Sequence, residues 1–490
     1  MPLEELPCPE RAASVDCNPI GAEGQILSMT RVERPEKCGG CGRKALTLRG
    51  FSNLMKGGKR MGDSRGGRMD TAQGIHEWAS ACGARVATWI CRGRALRLIG
   101  AEFSHSASLA VAVAGLVVLT SAKAGEVGLD VAAELMHGPS GLAVAPDNSL
   151  IVGLHQYFKT RERVIRVDRQ GESVAFPTEE IGANDSPGGT LVLDAVMGVH
   201  GSDRGIVWML DNGRRGEQMP KVVAWNFNEK KLHRVFHLPG PATIETSFVA
   251  DFSIDSAETH AYIADPASGG DAALIVLDLR TGVSRRLLQG HVSVIPEGIP
   301  LLVSGRKLHA QCQDGSQAEP LAGVNPIVVD RKGKYLYYGP LKSAKLYRIS
   351  TSLLNDSTLG ADALAAAVEV YSDKPICDSI AIDVKDNIYV GDLTTNAIRV
   401  ILAKDRRMIE YVADPKMAWP DGLTFGGDGR LYFYCSQINR CSWFSDGQDE
   451  AKAPFLVYRV KPLYQPLIAN PLPDHNPLTE IRRLGERLKP

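Results

Sequence analysis

The chain has 490 residues, with 56 Lys plus Arg against 56 Asp plus Glu, 44% hydrophobic residues and 6% aromatics. That length exceeds one small domain, and a formal net charge of zero excludes a polycationic nucleic-acid binder. Residues 1–124 carry 17 basic and 11 acidic side chains, which leaves 39 and 45 for the remainder, so the larger part is mildly acidic and no nucleic-acid partner is expected.

Residues 1–91 are rich in Gly and Arg and weakly patterned, which predicts a low-structure extension; a start placed too far upstream would read the same way. Cys38-Gly-Gly-Cys41 lies here, but Cys8, Cys17, Cys82 and Cys91 supply no second ligand pair at zinc spacing. Residues 92–124 follow a signal-peptide plan: Arg92, Arg94 and Arg97 precede the uncharged run Leu109–Thr120, and Ala122-Lys123-Ala124 ends it. The run falls short of the ~20 residues a spanning helix needs. A secreted or periplasmic protein, cut after Ala124 and with no stable membrane span, is expected.

From residue 125 the chain repeats itself. A small polar residue heads a β-rich run, an Asp or Gly marks a turn, and a second β-rich run follows. The copies are Ser140–Asp147 before Asn148–Gly153, Asp251–Asp255 before Ala261–Asp265, Asn325–Asp330 before Tyr335–Gly339, Asp378–Asp383 before Asn387–Asp392, and Asp421–Gly426 before Arg430–Tyr434. The gap between the first two admits one more, placed at Thr190 to Asn228 with its second strand around Gly205–Gly213. Units of this size with several strands cannot bury both sheet faces alone, so the spacing predicts an all-β, six-bladed β-propeller over 125–463. Leu129–His137 should pair with the last blade, because joining the termini removes a free edge. Residues 464–490, rich in Pro and charge, read as a C-terminal tail.

Four cysteines fall in the propeller. Cys435 and Cys441 flank a short loop and are the easier disulfide; Cys312 and Cys377 would form the second. No nucleophile elbow, zinc-protease motif, Walker loop or dinucleotide fingerprint is present.

Several segments carry a resemblance. Val207-Trp-Met-Leu-Asp-Asn-Gly-Arg214 followed by Pro220-Lys-Val-Val-Ala-Trp-Asn226, Tyr335-Leu-Tyr-Tyr-Gly-Pro-Leu341 followed by Leu346-Tyr-Arg-Ile-Ser-Thr-Ser-Leu353, and Trp419-Pro-Asp-Gly-Leu423 are similar, in order and spacing, to the yellow and major royal jelly proteins over about 140–445. The resemblance implies an exported six-bladed propeller whose central cavity takes a small, amphipathic molecule, with dopachrome isomerisation attributed to some members. Gln218 and Met219 stand where animal members carry a Cys, so no disulfide pattern transfers. The wider neighbourhood includes gluconolactonase-like propellers, which hold a divalent metal, usually Ca²⁺, on the axis.

The first strand of each blade lines the channel, so its head residues converge. Asp251, Asn325, Asp378 and Asp421 are therefore the candidate ligand-binding residues, joined by Ser140 and, in the second blade, by Asp194 or His200. Three readings stay open: each caps its own turn, together they form the polar end of a ligand pocket, or Asn325 and Asp378 belong to a Ca²⁺ site. A second group is His200 with Asp211 eleven residues on, a base and orienter suited to the proton transfers of tautomerisation or lactone opening. The expectation is a small-molecule-binding propeller with a possible isomerase activity; a metal-dependent lactonase and a non-enzymatic scaffold are the alternatives.

Overall fold

The computed structural model describes residues 128–183, 191–213, 218–311 and 316–464. The expected extension, the signal segment, Cys312, Arg214 and nearly all of the tail lie outside these residues.

Six four-stranded antiparallel sheets follow one another along the chain, each running in strand order from the axis outward. Blade 1 comprises Pro139–Val144, Leu150–Leu154, Val164–Val167 and Ser173–Ala175; blade 2 comprises Val196–Gly201, Ile206–Asp211, Lys221–Asn226 and Lys231–His237. Blade 3 comprises Asp251–Ile254, His260–Asp265, Ala273–Asp278 and Ser284–Leu287; blade 4 comprises Val324–Val329, Tyr335–Pro340, Lys345–Ser350 and Glu369–Asp373. Blade 5 is built from Cys377–Ile382, Ile388–Asp392, Ala397–Ile401 and Met408–Ala413. Blade 6 takes Pro420–Phe425, Leu431–Cys435 and Phe455–Val460, and its outermost strand is Leu129–Leu135 from the other end of the chain. That strand pairs antiparallel with Phe455–Val460, from Leu129 opposite Val460 to Leu135 opposite Phe455, which closes the ring.

The second strand of each blade shows why the ring is needed. Ile206–Asp211 is buried at every position. Trp208 and Leu210 pack with Phe252, Ile263 and Ile275 of blade 3, whereas Val207 and Met209 pack with Ala143, Ile151 and Val164 of blade 1. Successive side chains point to opposite faces, so a strand flanked on both sides reads as an unbroken apolar run. One buried apolar cluster fills each of the six blade junctions, including the junction between blades 6 and 1.

The repeated aspartates have two structural duties. Those after the first strand cap the tight turn: Asp255 accepts from the Thr259 and His260 amides, Asp330 from Lys334 and Tyr335, and Asp383 from Lys385 and Asn387. Those at the end of the second strand are buried and paired within their blade: Asp211 with Lys221 at 2.7 Å, Asp265 with Arg286 at 2.6 Å and Asp392 with Arg399 at 2.6 Å. Asp265 also accepts from the Ser247 hydroxyl and the Phe248 and Ala267 amides.

Two connections rise over one end of the ring. The link between blades 3 and 4 forms two small hairpins, Leu302–Val303 with Arg306–Lys307 and Ala310–Gln311 with Gln317–Ala318. The link inside blade 6 carries a 3-10 turn, Ile438–Arg440. Leu301, Val303, Leu308, Ile438 and Cys441 join Leu341, Ile376, Leu393 and Trp419 in a cluster of their own, and Gln317 Nε2 donates to Asp446 Oδ1 at 2.6 Å between the two links. Cys377, Cys435 and Cys441 are buried free thiols, so the Cys435–Cys441 disulfide expected from their spacing is not formed. Cys435 ends a strand inside the junction of blades 5 and 6, whereas Cys441 belongs to the cap cluster.

Asp265→Ala is expected to leave the Arg286 guanidinium, 6% exposed, without its buried partner. Removing one member of a buried pair costs about 3–5 kcal/mol, to be read as a lowered denaturation midpoint at unchanged slope in urea titration.

Candidate functional site

The inner strands surround a cavity of about 680 Å³ that runs along the axis. In five blades the strand pairing shifts register at the head of the inner strand: at Pro139/Gly141, Val196/Gly198, Val324/Ile327, Cys377/Ile380 and Asp421/Thr424. A bulge of this kind re-aims the side chain it interrupts. Ser140, Asn325, Asp378 and Asp421 lie at these shifts and line the cavity, as does Asp251 at the head of blade 3.

Blade 2 departs from expectation. Its head residue is Met197, inside the register shift; Asp194 precedes the strand and does not line the cavity, and His200 sits three residues further along. Asp211 is also elsewhere. It is fully buried at the far end of the neighbouring strand, where it pairs with Lys221 and accepts from the Asp194, Ala195 and Gly213 amides. His200 and Asp211 therefore form no base-and-orienter pair: Asp211 fastens blade 2, and His200 alone faces the cavity.

The carboxylates differ in what they accept. Asp378 receives the Asn325 amide on one oxygen and the Trp419 indole Nε1–H on the other at 2.7 Å. Both donors only donate here, which favours the ionised form. Asp421 receives the Gly422 amide at 2.7 Å and the Tyr434 hydroxyl at 3.0 Å. Asp251 accepts the Phe252 amide at 2.7 Å on one oxygen. Ser140 has a different duty: its hydroxyl donates to the Val196 carbonyl of the next blade at 2.5 Å.

Burial decides the protonation of the ring. Desolvation lifts the Asp378 carboxyl to about 6 against the opposing pull of Trp419 and Lys374. Desolvation raises Asp421 well above the usual carboxylate range, with Asp378 and Asp251 adding to it, and raises Asp251 likewise, with Asp378 adding. Tyr434 is pushed up by burial and by the same three acids. Lys374, behind the ring, donates its buried ammonium to the Ser343 carbonyl at 2.9 Å and the Pro375 carbonyl at 3.2 Å, and burial pulls its pKa down. Burial also lowers the His200 imidazole to about 4, so it is neutral at ordinary pH.

The space beyond the ring has two characters. Toward the cap it is walled by Tyr157, Phe248, Trp419, Trp443 and Phe444, with Trp419 and Phe444 stacked at 6.1 Å between centroids. Trp419 has φ of 62°, a left-handed conformation that a bulky residue adopts at a cost of about 1–3 kcal/mol. That backbone turn accompanies the indole hydrogen bond to Asp378. In the other direction the inner strands present Leu142, Val199, Ile327, Ile380 and Leu423 along the shaft. The basic residues on the wall, Arg204 and Arg331, stand 3.8 Å from Glu258 and 3.7 Å from Asp203.

A calcium site needs six or more oxygen donors converging at about 2.3–2.6 Å. Among the described residues no group of three or more His, Cys, Asp or Glu side chains is placed to hold a metal. Asn325 and Asp378 meet, but as hydrogen-bond partners, and both Asp378 oxygens are already engaged. The donor set does not fit the metal centre that the gluconolactonase resemblance implies.

Trp419, Tyr434 and Lys374 were not singled out in the sequence as parts of the site. Only Trp419 carried a signal, as the residue two places before Asp421.

A six-bladed propeller with an axial cavity and a ring of acidic heads places the chain among the cavity-bearing propellers. The family model for major royal jelly protein matches residues 196–443, half of the chain. The chain belongs to the major royal jelly protein family. Among solved structures the chain is similar to a gluconolactonase from Xanthomonas campestris at 11% identity and TM-score 0.43 over 76% of this chain and 100% of that one, and to a luciferin-regenerating enzyme at 11% identity and TM-score 0.44 over 69% and 96%. A virginiamycin B lyase from Staphylococcus aureus is similar at 15% identity and TM-score 0.39 over 69% and 100%. No curated protein matches the sequence.

Asp251→Asn is expected to stabilise the unliganded fold at pH 8 and to have little effect near pH 4. An acid whose folded pKa is raised binds its proton more tightly when folded, so stability falls as pH rises from the unfolded value near 3.8 through the folded one. Melting temperatures of wild type and variant across pH 4–8 check this; the difference should grow with pH.

Proposed function

We propose that the protein binds a small amphipathic organic molecule in the axial cavity, with a basic nitrogen at the acidic ring and an aromatic portion against the cap-side wall. The observation that carries the reading is the set of three half-buried carboxyls, Asp251, Asp378 and Asp421, that line the cavity at the base of a chamber walled by Trp419, Trp443, Phe444 and Tyr157. Carboxylates drawn partly out of water call for a partner; Lys374 acts on Asp378 from behind the ring, and no cation of the chain acts on Asp251 or Asp421. A ligand ammonium supplies the missing charge, and aromatic faces favour a cation and an aryl ring together.

Isomerisation is a second reading with its own support. Asp378, held by two obligate donors, is arranged as a proton acceptor, and Asp251 as a group that carries a proton. A tautomerase needs those two roles, one acid returning at a second atom the proton that a base removes from the first. Export is part of the same proposal, resting on Arg92, Arg94, Arg97, the apolar run and Ala122-Lys123-Ala124; N-terminal sequencing of protein recovered outside the cytoplasm should begin near Gly125.

Calorimetric titration with an arylalkylamine and its uncharged alcohol isostere checks the binding reading. The amine should bind and the alcohol should bind at least tenfold more weakly; Asp421→Asn should weaken the amine by at least tenfold while chelator has no effect. Equal affinity for amine and alcohol sinks the proposal. Asp378→Asn and Asp251→Asn, assayed for tautomerisation of a catechol-derived quinone, should each lower kcat by two orders of magnitude or more, and unchanged turnover removes the isomerase reading.

A further inference from the structure

We propose that residues 437–452, the link inside blade 6, form a lid over the cap-side end of the axial cavity, hinged at a Gln437–Lys452 clasp and latched to the facing link by Gln317 and Asp446. Such a lid governs access whatever molecule the cavity takes. Ile438, Trp443 and Phe444 line that end of the cavity, and Phe444 stacks on Trp419, whose indole answers Asp378. Lifting the segment uncovers the acidic ring directly, without passage along the apolar shaft.

The segment is a self-contained loop whose ends lie together. One side chain clasps them: Gln437 Nε2 donates to the Lys452 carbonyl at 2.8 Å, and Gln437 Oε1 accepts the Lys452 amide at 3.1 Å. Within the loop, the Glu450 amide donates to the Arg440 carbonyl at 2.7 Å, the Gln448 amide to the Ser445 carbonyl at 2.8 Å and the Phe444 amide to the Cys441 carbonyl at 3.0 Å. A loop bonded to itself in this way moves as a unit. Among the described residues, 438–451 make one hydrogen bond beyond the segment, from Gln317 Nε2 to Asp446 Oδ1 at 2.6 Å.

Closure is only modestly favoured. Ile438 and Cys441 are buried against Leu341, Ile376 and Leu393, which holds the lid down by apolar contact. Against this, Ser436 Oγ at the base and Asn439 Oδ1 inside the loop are buried with no hydrogen-bond partner among the described residues, and opening returns both to water. The backbone is left-handed at Gln437, with φ of 54°, and at Asp446, with φ of 51°, so clasp and latch both carry strain. The latch itself is exposed, where a hydrogen bond adds little. The blade strands, by contrast, are held by continuous backbone ladders. An element with so few outward bonds opens well before the sheets do.

The chain carries its own reporters. Cys441 is buried in the cap cluster and leaves it when the lid lifts, whereas Cys377 and Cys435 lie in blade junctions that open only with the propeller. Iodoacetamide labelling of the native full chain at neutral pH, resolved by peptide mass mapping, reads each thiol separately. Cys441 should be alkylated at least about tenfold faster than Cys377 and Cys435. Gln317→Ala should speed Cys441 about fivefold and leave the other two within about twofold. Asp446→Ala should do the same, and the double variant should match either single one to within about twofold, because both remove one bond; melting curves verify that the variants fold. Alkylation of Cys441 no faster than that of the junction thiols, a rate unmoved by Gln317→Ala, additive gains in the double variant, or a gain shared by all three thiols overturns the proposal.

Discussion

A four-stranded sheet with apolar residues on both faces is insoluble by itself, and that constraint governs this molecule. Each second strand, such as Ile206–Asp211, divides its side chains between two neighbouring blades. No blade can be satisfied until both neighbours are present, and the last junction is completed only when Leu129–Leu135 joins Phe455–Val460. Closure then aligns six inner strands around one axis, with their heads at a common level. The site is a geometric product of burying twelve sheet faces in a ring.

What stands at that level is energetically adverse. Half-buried carboxyls resist ionisation, and three of them together resist it more. The fold offsets part of this at Asp378 through Asn325 and Trp419, and at Asp421 through Tyr434 and Gly422. It accepts a left-handed backbone at Trp419 in the same place. Asp251 receives a single backbone amide. Strain and incomplete pairing are thus gathered at one cavity. By contrast, Asp211, Asp265 and Asp392 are more deeply buried than the ring acids and are answered within their own blades, which identifies them as fastenings.

The architecture was legible in the repeated heads and turns, because a strand's alternation and an Asp-capped hairpin are local patterns. Four head residues, Asp251, Asn325, Asp378 and Asp421, could be placed in advance for the same reason. Blade 2 was harder. Its head is an apolar residue, Met197, and the register shift that turns it inward depends on pairing with Ile206–Asp211 rather than on its own identity. His200 and Asp211 are close in sequence and chemically suited to each other, yet adjacent antiparallel strands carry them to different places. Cys435 and Cys441 were likewise near in sequence, but one sits in a blade junction and the other under the cap.

The sequence by itself determined the number of blades, the order of their strands and the acidic character of the channel. These follow from period-two patterning and turn chemistry, which act over a few residues. The tertiary structure alone decided which donors answer each acid, since an aspartate's role depends on the groups brought to it: Trp419 reaches Asp378 from 41 residues away, and Tyr434 reaches Asp421 across a hairpin. It also decided that His200 stands apart from Asp211. Ring closure sets those distances, and no local pattern encodes them.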